Sequence, residues 1–198
     1  MKTIRTSLAF AAACGIALSV LPAQMGSCAP KKATLPFAVY TDAGSFDTAY
    51  IPSGYMGNTR GIKMDPNCTD NPHSGANCLK VQYTAADNWG GVVWQSPAND
   101  WGDQPGGWNV SGATKLTFWA RGAKGGEKVS FLVGIIGPDK SYHDTALAKT
   151  DKVLTTSWAQ YTIALSGKDL TCIKTGFGWT VAGSGSPITF YLDDIKFQ

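Results

Sequence analysis

The sequence predicts an all-β protein, a two-sheet antiparallel β-sandwich of the jelly-roll kind. Short runs of alternating apolar residues recur along the chain, clusters of Gly, Pro, Asn and Asp separate them, and 3.6-residue apolar periodicity is almost absent. The 198 residues include 23 Gly and 10 Pro, which supply the punctuation.

Taken in order, residues 1–27 read as a secretory signal. Lys2 and Arg5 precede an apolar run from Leu8 to Leu21, which gives way to small and polar residues and is shorter than the roughly 20 apolar residues a membrane span needs. Met25-Gly26-Ser27-Cys28 resembles a bacterial lipoprotein cleavage box, with Met25 where Leu is expected. Cys28 is therefore the expected lipidation site; the alternative is ordinary cleavage near Ala23 or Ala29, leaving a soluble protein. More than one acyl chain on Cys28 would hold the domain at a membrane surface, with residues 28–36 as a short tether. The expected location is secreted, or lipid-anchored at the bacterial cell envelope, with no other membrane contact.

Residues 37–198 read as one domain. Strands are expected at 37–41, 78–84, 91–95, 115–121, 128–136, 158–165, 175–181 and 188–197. Leu116, Phe118 and Ala120 share one face of their strand, as do Val129, Phe131 and Val133, and Ala159, Tyr161, Ile163 and Leu165 on theirs; these residues are expected core. The run Gly122-Ala123-Lys124-Gly125-Gly126 joins two strands with no helix after it, so it reads as a turn and not as a phosphate cradle.

Loss of residues 1–27 removes Lys2 and Arg5 and leaves fifteen basic residues against 14 acidic ones. The basic residues are scattered, which excludes a nucleic-acid partner; the chain is expected to be a monomer. Of the five cysteines, Cys14 leaves with the signal. A Cys68–Cys78 disulfide is expected to close the polar loop 69–77, which otherwise has little to order it. Cys172 reads as a small buried residue, and no Cys or His pairs stand at zinc-ligand spacing.

Glu127 is the single glutamate. Glycoside hydrolysis ordinarily needs two carboxyl groups across the bond. Neighbouring Asp193 and Asp194 should point to opposite faces of their strand, and Asp100 and Asp103 flank Trp101-Gly102 in a loop. His73 and His143 stand in polar sequence with no nucleophile elbow and read as solvated. The chain is therefore not expected to be an enzyme.

Trp89, Trp94, Trp101 and Trp108 fall within twenty residues, among Asn, Asp and Gln. A sugar ring stacks its CH face on an aromatic ring while its hydroxyls take directed hydrogen bonds. Trp89, Trp101 and Trp108 are the candidate stacking residues, with Asn88, Asp103 and Gln104 fixing hydroxyls. The competing reading is that the rings cap the core, and Trp94, on a strand, is its strongest case. Trp119 and Trp158 read as structural; Trp179 is open. Acids inside the apolar run Tyr191-Leu192-Asp193-Asp194-Ile195 need compensation. A structural calcium held by Asp193 with Asp42 or Asp47 would supply it, as would a turn or a pair with Lys196.

Ser53-Gly54-Tyr55-Met56-Gly57, Gly90-Gly91-Val92-Val93-Trp94-Gln95, Leu116-Thr117-Phe118-Trp119-Ala120-Arg121-Gly122, Trp158-Ala159-Gln160-Tyr161-Thr162-Ile163 and Phe190-Tyr191-Leu192-Asp193-Asp194-Ile195 together resemble the galactose-binding-like β-sandwich family of carbohydrate-binding modules. These modules occur in bacterial polysaccharide-degrading systems, and the resemblance spans residues 36–198. It implies a polysaccharide or glycan partner met by aromatics on loops or on a concave sheet face, and a structural calcium to which Asp193 would contribute. Such modules are often joined to a catalytic domain, whereas this one reads as standing alone behind its signal. Two other functions stay open: a structural or adhesive envelope lipoprotein, whose loop tryptophans would be buried, and a sandwich-fold hydrolase or lyase, whose carboxylates or Tyr and His would converge in a groove.

Overall fold

The computed structural model describes residues 30–42 and 49–198; the signal segment, Cys28 and Asp47 lie outside them. Among the described residues the strands are β1 (Lys31–Lys32), β2 (Phe37–Tyr40), β3 (Ile51–Gly57), β4 (Ile62–Cys68), β5 (Cys78–Tyr83), β6 (Trp89–Gln95), β7 (Trp108–Asn109), β8 (Lys115–Gly122), β9 (Lys128–Val133), β10 (Ala148–Val153), β11 (Ala159–Ala164), β12 (Thr175–Ala182) and β13 (Ile188–Phe197). A five-stranded sheet runs β10-β9-β12-β6-β3. A six-stranded sheet runs β11-β8-β13-β5-β4, with β2 added against β13.

All eight expected strands are present. The three longer strands missing from the sequence reading, β3, β4 and β10, are edge strands. Pro52 and Pro66 each remove a ladder donor, which an edge tolerates. β10 carries Lys149 and Asp151 exposed along its length, the charged pattern that keeps an edge from pairing with another chain.

The sheets close on one apolar core. Leu116, Phe118, Phe190 and Leu192 of the six-stranded sheet meet Val92, Trp94, Phe131, Phe177 and Trp179 of the five-stranded one. The Phe118 and Phe131 ring centroids lie 4.4 Å apart, and those of Trp179 and Phe190 5.4 Å apart, so rings from opposite sheets interlock. Residues 31–33, expected to belong to the tether, are docked on the domain. Lys31 and Lys32 pair in parallel with Trp108 and Asn109, and the Ala33 N–H donates to the Asn109 carbonyl at 2.8 Å.

Residues 69–77 lie across the outer face of the six-stranded sheet, and side chains, not a disulfide, hold them there. Arg121 donates to the Asp70 carbonyl at 2.6 Å, and its guanidinium sits 3.7 Å from the Tyr191 ring centroid. The Tyr191 hydroxyl donates to Asp70 Oδ2 at 2.7 Å, and Trp158 Nε1 donates to the Asn71 carbonyl at 2.8 Å. Trp119 and Trp158 are structural, as expected. Cys68 and Cys78 are buried cross-strand partners, yet both are free, so the expected bridge is not formed. Burial first, and the adjacent Cys68 second, push the Cys78 thiol up to about 12. Cys172 is buried and disulfide-bonded.

Candidate functional site

Along β6 the alternation of strand side chains decides which tryptophan is core. Val92 and Trp94 face inward and are fully buried, pairing with Trp179 and Phe177 of β12. Trp89, Gly91, Val93 and Gln95 therefore face outward. Gly178 and Gly54 flank Val93 so closely that a Cβ on either would meet its side chain at 2.4–2.5 Å, which keeps this part of the outer face flat.

That face has a closed end and an open end. At the closed end Gln95 Nε2 donates to the Asp100 carbonyl at 2.8 Å, and Ser53 Oγ donates to Gln95 Oε1 at 2.9 Å. At the open end Trp89 is 48% exposed. Its cross-strand partner Ala182 lines two adjoining cavities of about 390 and 460 Å³ together with Lys128, and Lys128 in turn pairs with Val153 of β10, 59% exposed. Ser130, Lys149 and Asp151 continue the smaller cavity. Three strand spacings separate Trp89 from Val153, about 14 Å.

The six residues expected to meet a sugar do not form one site, because β6 lies between them and its length, about 20 Å, separates the two groups. Trp89 and Asn88 lie at the open end, where the exposed Asn88 side chain accepts the Trp89 N–H. Trp101, Asp103, Gln104 and Trp108 follow the closed end. Trp108 stacks on Phe37 at 4.8 Å and donates Nε1 to the Ala49 carbonyl at 3.0 Å; it is a packing residue at the core margin. Trp101 is half-buried. Asp103 is exposed and pairs with Lys140 at 3.7 Å, and the Gln104 carbonyl accepts the Lys174 ammonium at 2.7 Å.

The acids have structural partners. Asp100 is buried, 2.7 Å from Lys174, and accepts N–H groups of Gly102, Asp103 and Gln104. Burial works against its charge, but Lys174 and these N–H groups hold its carboxyl below the ordinary value. Asp144, a buried acid the sequence reading passed over, accepts the N–H groups of Ile136, Lys174 and Thr175.

The expected divergence of Asp193 and Asp194 fails for a local reason. A register shift follows Asp193, and Asp194 adopts a left-handed φ of 49°, so both carboxylates reach His73. Asp193 Oδ2 accepts the His73 and Ser74 N–H groups at 3.0 and 3.2 Å, and Asp194 Oδ2 meets His73 Nδ1 at 3.0 Å. His73 also stacks on Trp119 at 3.8 Å and is not the solvated side chain expected. Asp194 pairs with Lys196 at 3.8 Å, as one reading had it.

The described acids named for calcium have hydrogen-bond partners. The Asp194 N–H occupies Asp193 Oδ1, and the Asp42 oxygens accept the N–H groups of Ala76 and Asn77. Among the described residues no group of three or more His, Cys, Asp or Glu side chains could hold a metal; Asp47 lies outside them.

No family profile matches the sequence, and no curated protein sequence matches it. Solved structures similar to the chain are carbohydrate-binding modules of β-sandwich fold. A family 11 module from Clostridium thermocellum, in complex with a β-1,3-1,4-mixed-linked tetrasaccharide, has 17% identity and a TM-score of 0.53, with 77% of this chain and 91% of that one covered. A family 30 module of a cellulosomal cellulase from the same organism has 16% identity and a TM-score of 0.56, covering 83% and 98%. The Endo-D glycoside hydrolase domain structure from Streptococcus pneumoniae is also similar, with a TM-score of 0.51 and 16% identity, but only 21% of that chain is covered. At these identities the likeness shows the fold.

Proposed function

We propose that the protein is an exported, non-catalytic glycan-binding domain that stacks a sugar ring on Trp89 and lays the rest of the chain across the open end of the outer sheet face. The observation that carries this is the exposure of Trp89, whose cross-strand partner Ala182 lines two adjoining cavities. A large aromatic ring left half in water, on a sheet whose other tryptophans are buried, offers a face on which a sugar ring can stack. Asn88, Ser130 and Thr180 stand within this region to take hydroxyls. The sugar-binding function of the similar modules supports the reading in kind. The reading of residues 1–27 as a secretory signal supports the exported part of the proposal.

Against catalysis, the carboxylates that might pair are committed elsewhere: Asp100 to Lys174, and Asp193 and Asp194 to His73 and its loop. One observation favours the structural envelope reading, the packing of Trp108 against Phe37; Trp89 has the opposite character.

The test is a glycan array and an insoluble-polysaccharide pull-down with the wild type and Trp89→Ala. Binding that Trp89→Ala removes while the melting temperature holds supports the proposal. Absence of binding to any glycan, or binding indifferent to Trp89, sinks it.

A further inference from the structure

The two cavities that Ala182, the cross-strand partner of Trp89, lines are also lined by four lysines, Lys124, Lys128, Lys149 and Lys152, and by two acids, Glu127 and Asp151.

Both acids are already engaged. Asp151 accepts from Ser130 Oγ and pairs with Lys149 at 3.3 Å, and these contacts hold its carboxyl below the ordinary value. Glu127 Oε1 accepts the Lys124 backbone N–H at 2.7 Å. The ammonium groups of Lys124 and Lys128 are uncommitted: among the described residues no carboxylate lies within 4.0 Å of either. Lys152 pairs across the ladder with the core residue Val129 and stands 6.0 Å from the ring centroid of Tyr161 in the other sheet, so it faces inward, away from Trp89. Lys128 is central, since it lines both cavities beside the partner of Trp89.

We propose that the glycan bound at this face is anionic, a polysaccharide whose repeating carboxylates or sulfate esters meet Lys124 and Lys128 while one ring stacks on Trp89. This rests on the glycan-binding reading above and names the class of its ligand. A neutral chain would leave both ammonium groups without a counter-charge. An acidic chain supplies it, through an attraction that salt weakens. Lysine suits the task, because a flexible point charge follows an acid whose position shifts along a polymer, where the rigid fork of arginine demands one geometry.

The experiment compares the wild type, Trp89→Ala and the double variant Lys124→Ala/Lys128→Ala. Each is titrated with polygalacturonate, with a sulfated galactan and with the unsulfated neutral galactan, at low and high salt. The expected result is tighter binding of at least one acidic polymer than of the neutral one. The double variant should weaken the acidic complex by about three- to tenfold, salt should weaken it further, and Trp89→Ala should abolish it. The two acidic polymers distinguish carboxylate from sulfate. Trp89-dependent binding of the neutral polymer equal to that of the acidic ones, or unaffected by the lysine changes, overturns the anionic assignment and leaves the glycan-binding reading standing. Acidic binding that survives Trp89→Ala is ion exchange by the surface and also overturns it. No binding to any polymer removes both.

Discussion

The Lys174 ammonium lies 2.7 Å from the Asp100 carboxylate, and the two side chains are 1% and 2% exposed. Lys174 also donates to the Gln104 carbonyl, so this pair pins residues 100–104 to the start of β12. Lys174→Met would strand a buried carboxylate, at a cost of about 3–5 kcal/mol. The folded-state value for Asp100 is depressed. The stability its charge contributes is thus present above the ordinary carboxylate pKa, about 3.9, and is lost as pH falls through the lower folded value. Urea melts should show the gap between wild type and Lys174→Met narrowing as pH falls from 7 to 3. A gap that stays constant would show that the charge pair is not what the lysine contributes.

Trp108 and Trp89 should behave as opposites. Trp108→Ala removes the stack on Phe37 and strands the Ala49 carbonyl, and should cost about 2–4 kcal/mol. Trp89→Ala removes a half-exposed ring and should cost no more than about 0.5 kcal/mol. Differential scanning calorimetry reads both directly. Equal losses would mean that Trp89 is a packing residue too.

The contrast between these two residues shows how far the sequence could be read. The central strands were legible because their inward residues alternate: Leu116, Phe118 and Ala120 are all fully buried. The edges were not, because β3 and β4 carry proline and β10 carries charges, features that edges permit and interior strands do not. Trp94 was legible as core from its strand. Trp89 could have been separated from it by the same parity, had β6 been started two residues earlier, at Trp89 instead of Gly91. Nearness in sequence misled for Trp101 and Trp108, since the intervening strand separates them from Trp89. The order in loop 69–77 was not legible, because it comes from Arg121, Tyr191 and Asp193, residues up to 121 positions away.

Asp193 is fully buried, and burial pushes its carboxyl above the ordinary value even though His73, Ser74 and Asp194 N–H groups oppose the shift. A raised folded value reverses the sign found for Asp100. The contribution of this group to stability is greatest below the ordinary carboxylate pKa and is lost as pH rises through the raised one. Backbone donors meet both oxygens of this carboxyl, so chelator is expected to leave the melting temperature unchanged. Asp193→Ala should release residues 73–74, seen as faster amide exchange there, with a loss of about 2–3 kcal/mol for the stranded donors. A chelator-induced fall in melting temperature that calcium reverses would show that a metal does the compensating.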